Sequence, residues 1–323
     1  MTPKKATQQL TKQHNRDLVL RTIIENQRIS RADISRATKL TRATVSEVVS
    51  GLMAEGLVEE VGLDTSGNGK PSILLSLVPD SRYLIGLNLG QDKFIGAIVN
   101  LSGEIKETVE VPIVGSDGEK ALQFVYEILN QLLAKGWEPI IGIGIGTPGL
   151  VNTREGKVVD AVNLDWEDLP LASLLQERYG LPVSVLNDSQ ATAIGEFVYG
   201  GHHSEGNLIV INVKHGIGAG ILINGQLFQG DDGSAGEIGH VRVHGNDLPC
   251  RCGQIGCLET LASAQAVVRR FNELSDEAQL VSLDKVEERF VAGDGIARQV
   301  VLEAGCSLGE FIGFLSAALN IQE

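Results

Sequence analysis

Apolar positions in the first eighty residues recur at helical spacing, break, and then alternate. Leu18, Ile23 and Ile24 predict one apolar helical face. Ser30 is a good N-cap, with Asp33 three residues on to complement the first turn of a short helix carrying Ile34 and Ala37. "KLT" (39–41) is a tight break, and Thr41 caps a third helix with Val45, Val48, Val49 and Leu52 inside, ended by Gly56. "LVEEV" and "PSILLSL" then read as two short strands around the turn "GLDTSGNGK". The order helix, short helix, turn, helix, hairpin predicts a winged helix-turn-helix over residues 1–80.

From Tyr83 the pattern changes to strands separated by Gly turns. "YLIGLNLGQDKFIGAIVNLSGEI" and "NLIVINVKHGIGAGILINGQLF" superpose at a shift of 124, so that Leu84/Leu208, Ile85/Ile209, Asn88/Asn212, Gly96/Gly220 and Asn100/Asn224 coincide. Each copy reads as three strands, with helical segments following at about 117–135, 259–274 and 299–319. Between the copies lie another strand, "PIIGIGIGTPGLV", and a strand running into a helix, "LPVSVLNDSQATAIGEFVYG". A duplicated α/β body with lobes at 81–190 and 191–323 implies a cleft.

Charge sharpens the picture of the head. The chain of 323 residues carries a net −14, yet residues 1–45 hold ten Lys/Arg against three Asp/Glu, which is +7 and leaves −21 for the rest. A basic head on an acidic body predicts that one end alone meets a polyanion, double-stranded DNA. Arg42, Thr44, Ser46 and Glu47 open the third helix, where base edges would be read, and Lys70 sits at the wing tip. A solvated basic face is the plain alternative. With 43% hydrophobic and 21% charged residues the chain is globular. No apolar run looks long enough to span a bilayer and no signal segment opens the chain, which predicts no membrane partner and a cytoplasmic address.

Three of the four cysteines fall in "CRCGQIGCLET" (250–260). A redox pair needs Cys-x-x-Cys at a helix N-terminus, which is absent. Cys250, Cys252 and Cys257 lack a fourth ligand, which His240 in "GEIGHVRV" can supply, with His244 as a rival. One imidazole and three thiolates suit tetrahedral Zn²⁺ in a closed, structural site. Cys306, on an apolar helix, reads as a buried small hydrophobe. The turn "NLGQDK" has one Gly and aims Asp92 at a phosphate position; its repeat, "NVKHGIG", carries Lys214 and His215. Both are poor phosphate cradles. Taken alone, Asn187-Asp188 reads as a strand-end turn with a helix cap, and Glu237 and Glu259 as solvated surface.

"GEIGH…CRCGQIGCLE", with "GIGIGTPGLV", "NLDW" and "NDSQATAIGE", resembles the ROK family of repressors and sugar kinases, over about residues 83–320. The resemblance implies a two-lobed actin-like, sugar-kinase-like ATPase fold behind the winged helix, as in the repressor branch. It implies that Glu259 and His240 face a sugar, with Glu237, Asn187, Asp188 and Asn163 as its other contacts. Carboxylates and amides suit a ring of hydroxyls that both donate and accept. In the family's kinases the aspartate matching Asp188 is the catalytic base. Those kinases place Asp-x-Gly-Gly-Thr where this chain has Asn88-Leu89-Gly90-Gln91-Asp92, and Gly-Thr where it has Lys214-His215. Family members continue past "GEFIGFLSAALN" into a further strand and helices, so the second lobe is expected to look truncated, with an open sheet edge.

A kept sugar set beside a degraded phosphate set predicts a sugar-responsive transcription regulator, a repressor acting as a homo-oligomer, and not an enzyme. A sugar kinase with a DNA-binding head and a regulator controlled by a protein partner are the alternatives.

Overall fold

The computed structural model describes residues 8–64, 71–113, 117–201, 206–275 and 280–321. Two compact units emerge: Met1–Gly86 with Gly96–Glu110 and Tyr126–Ile143, and Leu87–Ile95 with Val111–Val125 and Gly144–Glu323.

The chain opens with α1 (Gln8–Asn26), β1 (Ile29–Ser30), α2 (Arg31–Thr38), α3 (Arg42–Ala54), β2 (Val58–Asp64) and β3 (Ser72–Leu77). Both expected caps form: the Ser30 Oγ accepts from Asp33 N–H at 3.2 Å, and the Thr41 Oγ1 from Thr44 N–H at 3.2 Å. β3 pairs with both β1 and β2, so the wing closes back on the first turn of the motif, with Ile29 opposite Leu75. Val19, Ile23, Ile34, Val45, Val49, Leu52 and Leu75 are all fully buried in one cluster. The inner face of α1 therefore centres on Val19 and Ile23, one helical turn apart; Ile24, a third of a turn away, is exposed, as is Ala37. Arg16 clamps Glu55 with both guanidinium nitrogens, at 2.8 and 2.6 Å, tying α1 to the end of α3.

The body continues with β4 (Tyr83–Leu89), β5 (Lys93–Asn100), β6 (Ile105–Pro112), α4 (Gly118–Leu133), β7 (Ile140–Thr147), β8 (Leu150–Asn152), β9 (Lys157–Ala161), β10 (Trp166–Leu169), α5 (Leu171–Tyr179), β11 (Val183–Asn187) and α6 (Asp188–Tyr199). Then come β12 (Leu208–Val213), β13 (Ile217–Ile223), β14 (Gln226–Leu227), α7 (Glu259–Ala262), α8 (Ala264–Leu274), α9 (Leu283–Ala292) and α10 (Gly295–Leu319). The two superposed stretches are β4-β5-β6 and β12-β13-β14, each with its middle strand between the other two. The first belongs to a five-stranded sheet of order β11-β7-β4-β5-β6. The second is three-stranded, with no strand paired on the outer edge of β12 among the described residues. The architecture is α/β: a winged helix-turn-helix followed by a sugar-kinase-like fold.

Three sequence expectations change in the helical part. The helix expected over 259–274 is two, because Ser263 turns extended and caps α8, accepting from Ala266 N–H at 3.1 Å. Helix α9 lay outside the sequence reading. Helix α10 begins at Gly295 under an Asp294 cap and reaches 25 residues, so by length and composition it is apolar enough to cross a membrane, contrary to the expectation. Charges at Arg298, Glu303 and Glu310 are too sparse to break the run. Its inner face, Ala304 with Leu308, Phe311 and Leu315, packs with Ile217, Ala219 and Leu258. Its outer face shows Leu302 and Phe314 at 66% and 67% exposure. Cys306 lies on that exposed side and is not the buried hydrophobe its apolar neighbours suggested.

Candidate functional site

The loop from Ile238 to Leu258 has little regular structure, and its shape comes from a few bonds. Asn246, only 6% exposed, donates to the Cys257 carbonyl (3.0 Å) and to Thr260 Oγ1 (2.9 Å), and accepts from Leu248 N–H (3.1 Å). Cys250 N–H donates to Gln254 O at 2.8 Å, and Arg242 pairs with Cys257 as an isolated antiparallel bridge. Gly256 has φ +88°, and a Cβ there would sit 2.5 Å from the Asn246 carbonyl oxygen, so this turn accepts only glycine.

This loop brings His240, Cys250, Cys252 and Cys257 together with their ligand atoms all within 4.8 Å of one another. His240 Nδ1 lies 3.6 Å from Cys250 Sγ, and Cys252 Sγ lies 3.7 Å from Cys257 Sγ. The edge of a tetrahedron with metal–sulfur bonds of about 2.3 Å is about 3.8 Å, so the spacing fits a four-coordinate ion. His244, the rival ligand, is not in the cluster. Burial pushes the Cys257 thiol up to about 12, helped by its bonds to Cys250 and Cys252, and burial raises Cys250 as well. A cation bound among them would favour the thiolate form. The cluster is compatible with a metal site, and no position is left open on it.

The other face of His240 looks elsewhere. Its Nε2 stands 3.9 Å from Glu237 Oε2, on the wall of a cavity of about 580 Å³. Asn163, Asn187, Asp188, Glu237, His240 and Glu259, expected from separate stretches of the sequence, all line this one cavity. Four further segments bring their side chains there. Asn163 rides on the single 3₁₀ turn between β9 and β10. Asn187, and not Asp188, caps α6: its Oδ1 accepts from Ser189 N–H and its Nδ2 donates to Gly149 O, both at 2.9 Å. Asp188 is the first residue of that helix, free to face the cavity. Gln190 on the same helix, 2% exposed, donates to Gly233 O at 2.9 Å and holds the segment leading to Glu237.

Glu259 opens α7 with its side chain 12% exposed. Its Oε2 accepts from Ile217 N–H at 3.2 Å, and its Oε1 from Arg251 Nη2 at 3.3 Å. Three carboxylates in one wall repel. Glu237 is pushed up to about 7, first by burial and then by Asp188 and Glu259. Asp188 is also raised by burial, with the Lys214 ammonium opposing that shift.

The two turns matching the phosphate loops line the same cavity, through Gly90 and Gln91 on one side and Lys214, His215 and Gly216 on the other. Lys214 lines this cavity with Asp188, and its ammonium opposes the rise at that carboxyl; Asp92 is not among the described residues on the wall. Sequence reasoning did not single out Arg251 or Asn246. Arg251 offered a signal in being a long cation between two metal-ligand cysteines; Asn246 offered none.

At the other end of the chain, Arg42, Ser46 and Glu47 are exposed on α3, Glu47 lying 3.7 Å from Lys12. Thr44 is half-buried, and its hydroxyl sits 2.9 Å from that of Thr41, within the cap. Lys70 lies outside the described residues.

Residues 84–323 match the ROK family, and residues 16–59 match a winged helix-turn-helix DNA-binding family. The chain belongs to the ROK family. It is 36% identical over 316 residues to the xylose repressor of Caldicellulosiruptor bescii, spanning 93% of this chain and 79% of that one. It is 35% identical over 256 residues to a glucokinase of Halalkalibacterium halodurans, 74% of this chain and 78% of that one. Among solved structures, a ROK family transcriptional regulator described as a homolog of the E. coli MLC protein aligns with a TM-score of 0.80 and 29% identity, covering 94% of this chain and 80% of that one. The glucokinase match leaves out about a quarter of this chain, and the regulator match spans nearly all of it.

Proposed function

We propose that this protein is a sugar-responsive, DNA-binding transcriptional repressor of carbohydrate genes. One observation carries the reading: six polar side chains suited to sugar hydroxyls converge on a cavity whose phosphate-loop positions hold Gln91, Lys214 and His215. Asn163, Asn187, Asp188, Glu237, His240 and Glu259 bind the sugar. His240, Cys250, Cys252 and Cys257 hold a structural Zn²⁺ whose role is to fix the loop that aims His240 and Glu259. Arg42, Ser46 and Glu47, with Thr44 and Lys70, meet operator DNA. The working form is a cytoplasmic homo-oligomer, its winged helix spanning 1–80 and its two lobes 81–190 and 191–323. The repressors among its relatives support this role, and a sugar that prefers one of two states of the protein shifts its operator affinity.

The protein is not a kinase on this reading. A general base needs a phosphoryl donor in line with it. Asp188 is present, but the turn on its cavity wall holds Lys214 and His215 where the family's kinases place Gly-Thr, although Gly216 and Gly218 are kept. The glucokinase relative and Asp188 itself favour the second reading, a sugar kinase with a DNA-binding head. Fluorescence anisotropy on DNA from the chain's own upstream region, at fixed salt, with D-xylose, D-glucose and N-acetyl-D-glucosamine, tests the first. One sugar is expected to shift the binding curve, with no ADP formed from Mg-ATP. Sugar-dependent ADP release would replace the repressor reading with the kinase one.

A further inference from the structure

Arg251 sits between two metal-ligand cysteines and reaches away from the cluster, into the cavity. Its Nη1 donates to Asn163 Oδ1 at 3.2 Å and its Nη2 to Glu259 Oε1 at 3.3 Å. Those acceptors come from the 3₁₀ turn after β9 and from the start of α7, two separate parts of the wall. The guanidinium therefore joins them across the cavity. Its side chain is 49% exposed while that of Glu259 is 12% exposed, so Arg251 lies on the solvent side of the carboxylate it binds. Glu259 Oε2 is already committed to Ile217 N–H, which leaves Oε1 as the oxygen facing an incoming molecule.

We propose that Arg251 is a latch that an incoming sugar must displace to enter the cavity. This deepens the proposed function and rests on it. The two parallel N–H donors of a guanidinium form a planar fork. Two adjacent hydroxyls on a sugar ring present two donors with a similar spread. A sugar with a free vicinal diol replaces both bonds of the latch, one hydroxyl donating to Asn163 Oδ1 and the other to Glu259 Oε1. A sugar with one of those hydroxyls blocked or missing replaces one bond and leaves the other to Arg251. Arg251 thus acts as a positioning residue. It holds Asn163 and Glu259 in place when the cavity is empty and leaves when the diol arrives. Because the arm is anchored in the metal loop, its departure is felt at Cys250 and Cys252.

Opening the latch precedes binding, so removing it acts on arrival. An exposed, charge-assisted pair of this kind is worth about a fivefold factor in an equilibrium. The test compares the full-length wild type with Arg251→Ala and Arg251→Lys, titrated with D-xylose, D-glucose and N-acetyl-D-glucosamine, with association and dissociation rates followed by stopped flow. Zinc content is measured on each. For the sugar that binds the wild type, Arg251→Ala is expected to bind about five times tighter, through a faster association and an unchanged dissociation. Arg251→Lys, which keeps the charge and loses the fork, is expected to lie between, and it decides the matter should Arg251→Ala lose zinc. Unchanged or weaker binding with zinc retained overturns the latch and leaves the repressor reading standing. A wild type that binds none of the three sugars overturns the repressor reading, and the latch with it.

Discussion

Gly216 tests whether Glu259 is the carboxylate that meets the sugar, without touching that residue. Gly216 lies in the turn between β12 and β13 with no left-handed φ, so alanine there costs no backbone strain. Its Cβ, however, would stand 2.6 Å from Glu259 Oε2. Carbon and oxygen in contact need roughly 3.3 Å, so the carboxylate must retreat by about 0.7 Å. That retreat breaks the 3.2 Å bond from Ile217 N–H, which lies in a residue only 4% exposed. A buried donor left alone costs about 1–3 kcal/mol, and the carboxylate loses its aim at the same time. Gly216→Ala is expected to weaken sugar binding by roughly 10- to 100-fold, measured by calorimetry with the sugar that shifts the anisotropy curve. Metal content and sugar-free operator affinity are expected to stay within twofold, since a Cβ on Gly216 meets only Glu259 within 4 Å. Sugar affinity unchanged in Gly216→Ala would refute the reasoning: either Glu259 does not meet the sugar or its position does not matter.

Cys257→Ser removes a fully buried ligand and is expected to release the metal and abolish sugar binding while operator binding persists; metal analysis beside the anisotropy titration checks this, and retained stoichiometric metal would count against the cluster. Leu52→Ala empties a fully buried position of the winged-helix core and is expected to cost about 2–5 kcal/mol there, abolishing operator binding but sparing sugar binding. Arg42→Ala, at an exposed helix start, is expected to weaken operator binding by about 1–3 kcal/mol with no change in the melting curve; equal affinity on all DNA would remove Arg42 from the interface. Asn246→Ala is expected to lower metal affinity, because three hydrogen bonds hold the metal loop through this one side chain; chelator competition reads it.

The winged helix was legible because its signals are local. Ser30 and Thr41 cap the helices that follow them through bonds to backbone three residues away, and the period of Val45, Val49 and Leu52 marks the inner face by itself. The errors there, the inclusion of Ile24 and Ala37, came from apolar faces only two or three residues deep. The cluster of His240 with Cys250, Cys252 and Cys257 was legible because its spacing is short: three thiols within eight residues and an imidazole ten residues upstream. Helix α10 was misjudged in two ways, its length and the side on which Cys306 lies, because sequence period alone does not say which of two apolar faces finds a partner. The packing of Ala304, Leu308, Phe311 and Leu315 does.

The sequence by itself determined the order of helices and hairpin in the winged helix, the basic head, the duplicated strands and the residue types of the site. Each of these depends on neighbours within a few residues or on chemistry that composition carries. The tertiary structure alone decided which of those residues share a wall. Arg251 reaches Asn163 across 88 residues of chain and holds Glu259 as well, Lys214 and Asp188 come to line one cavity, and Asn187 turns out to be the cap while Asp188 lines the cavity. Burial, repulsion between carboxylates and the reach of a guanidinium act through space, and distance along the chain holds no record of them.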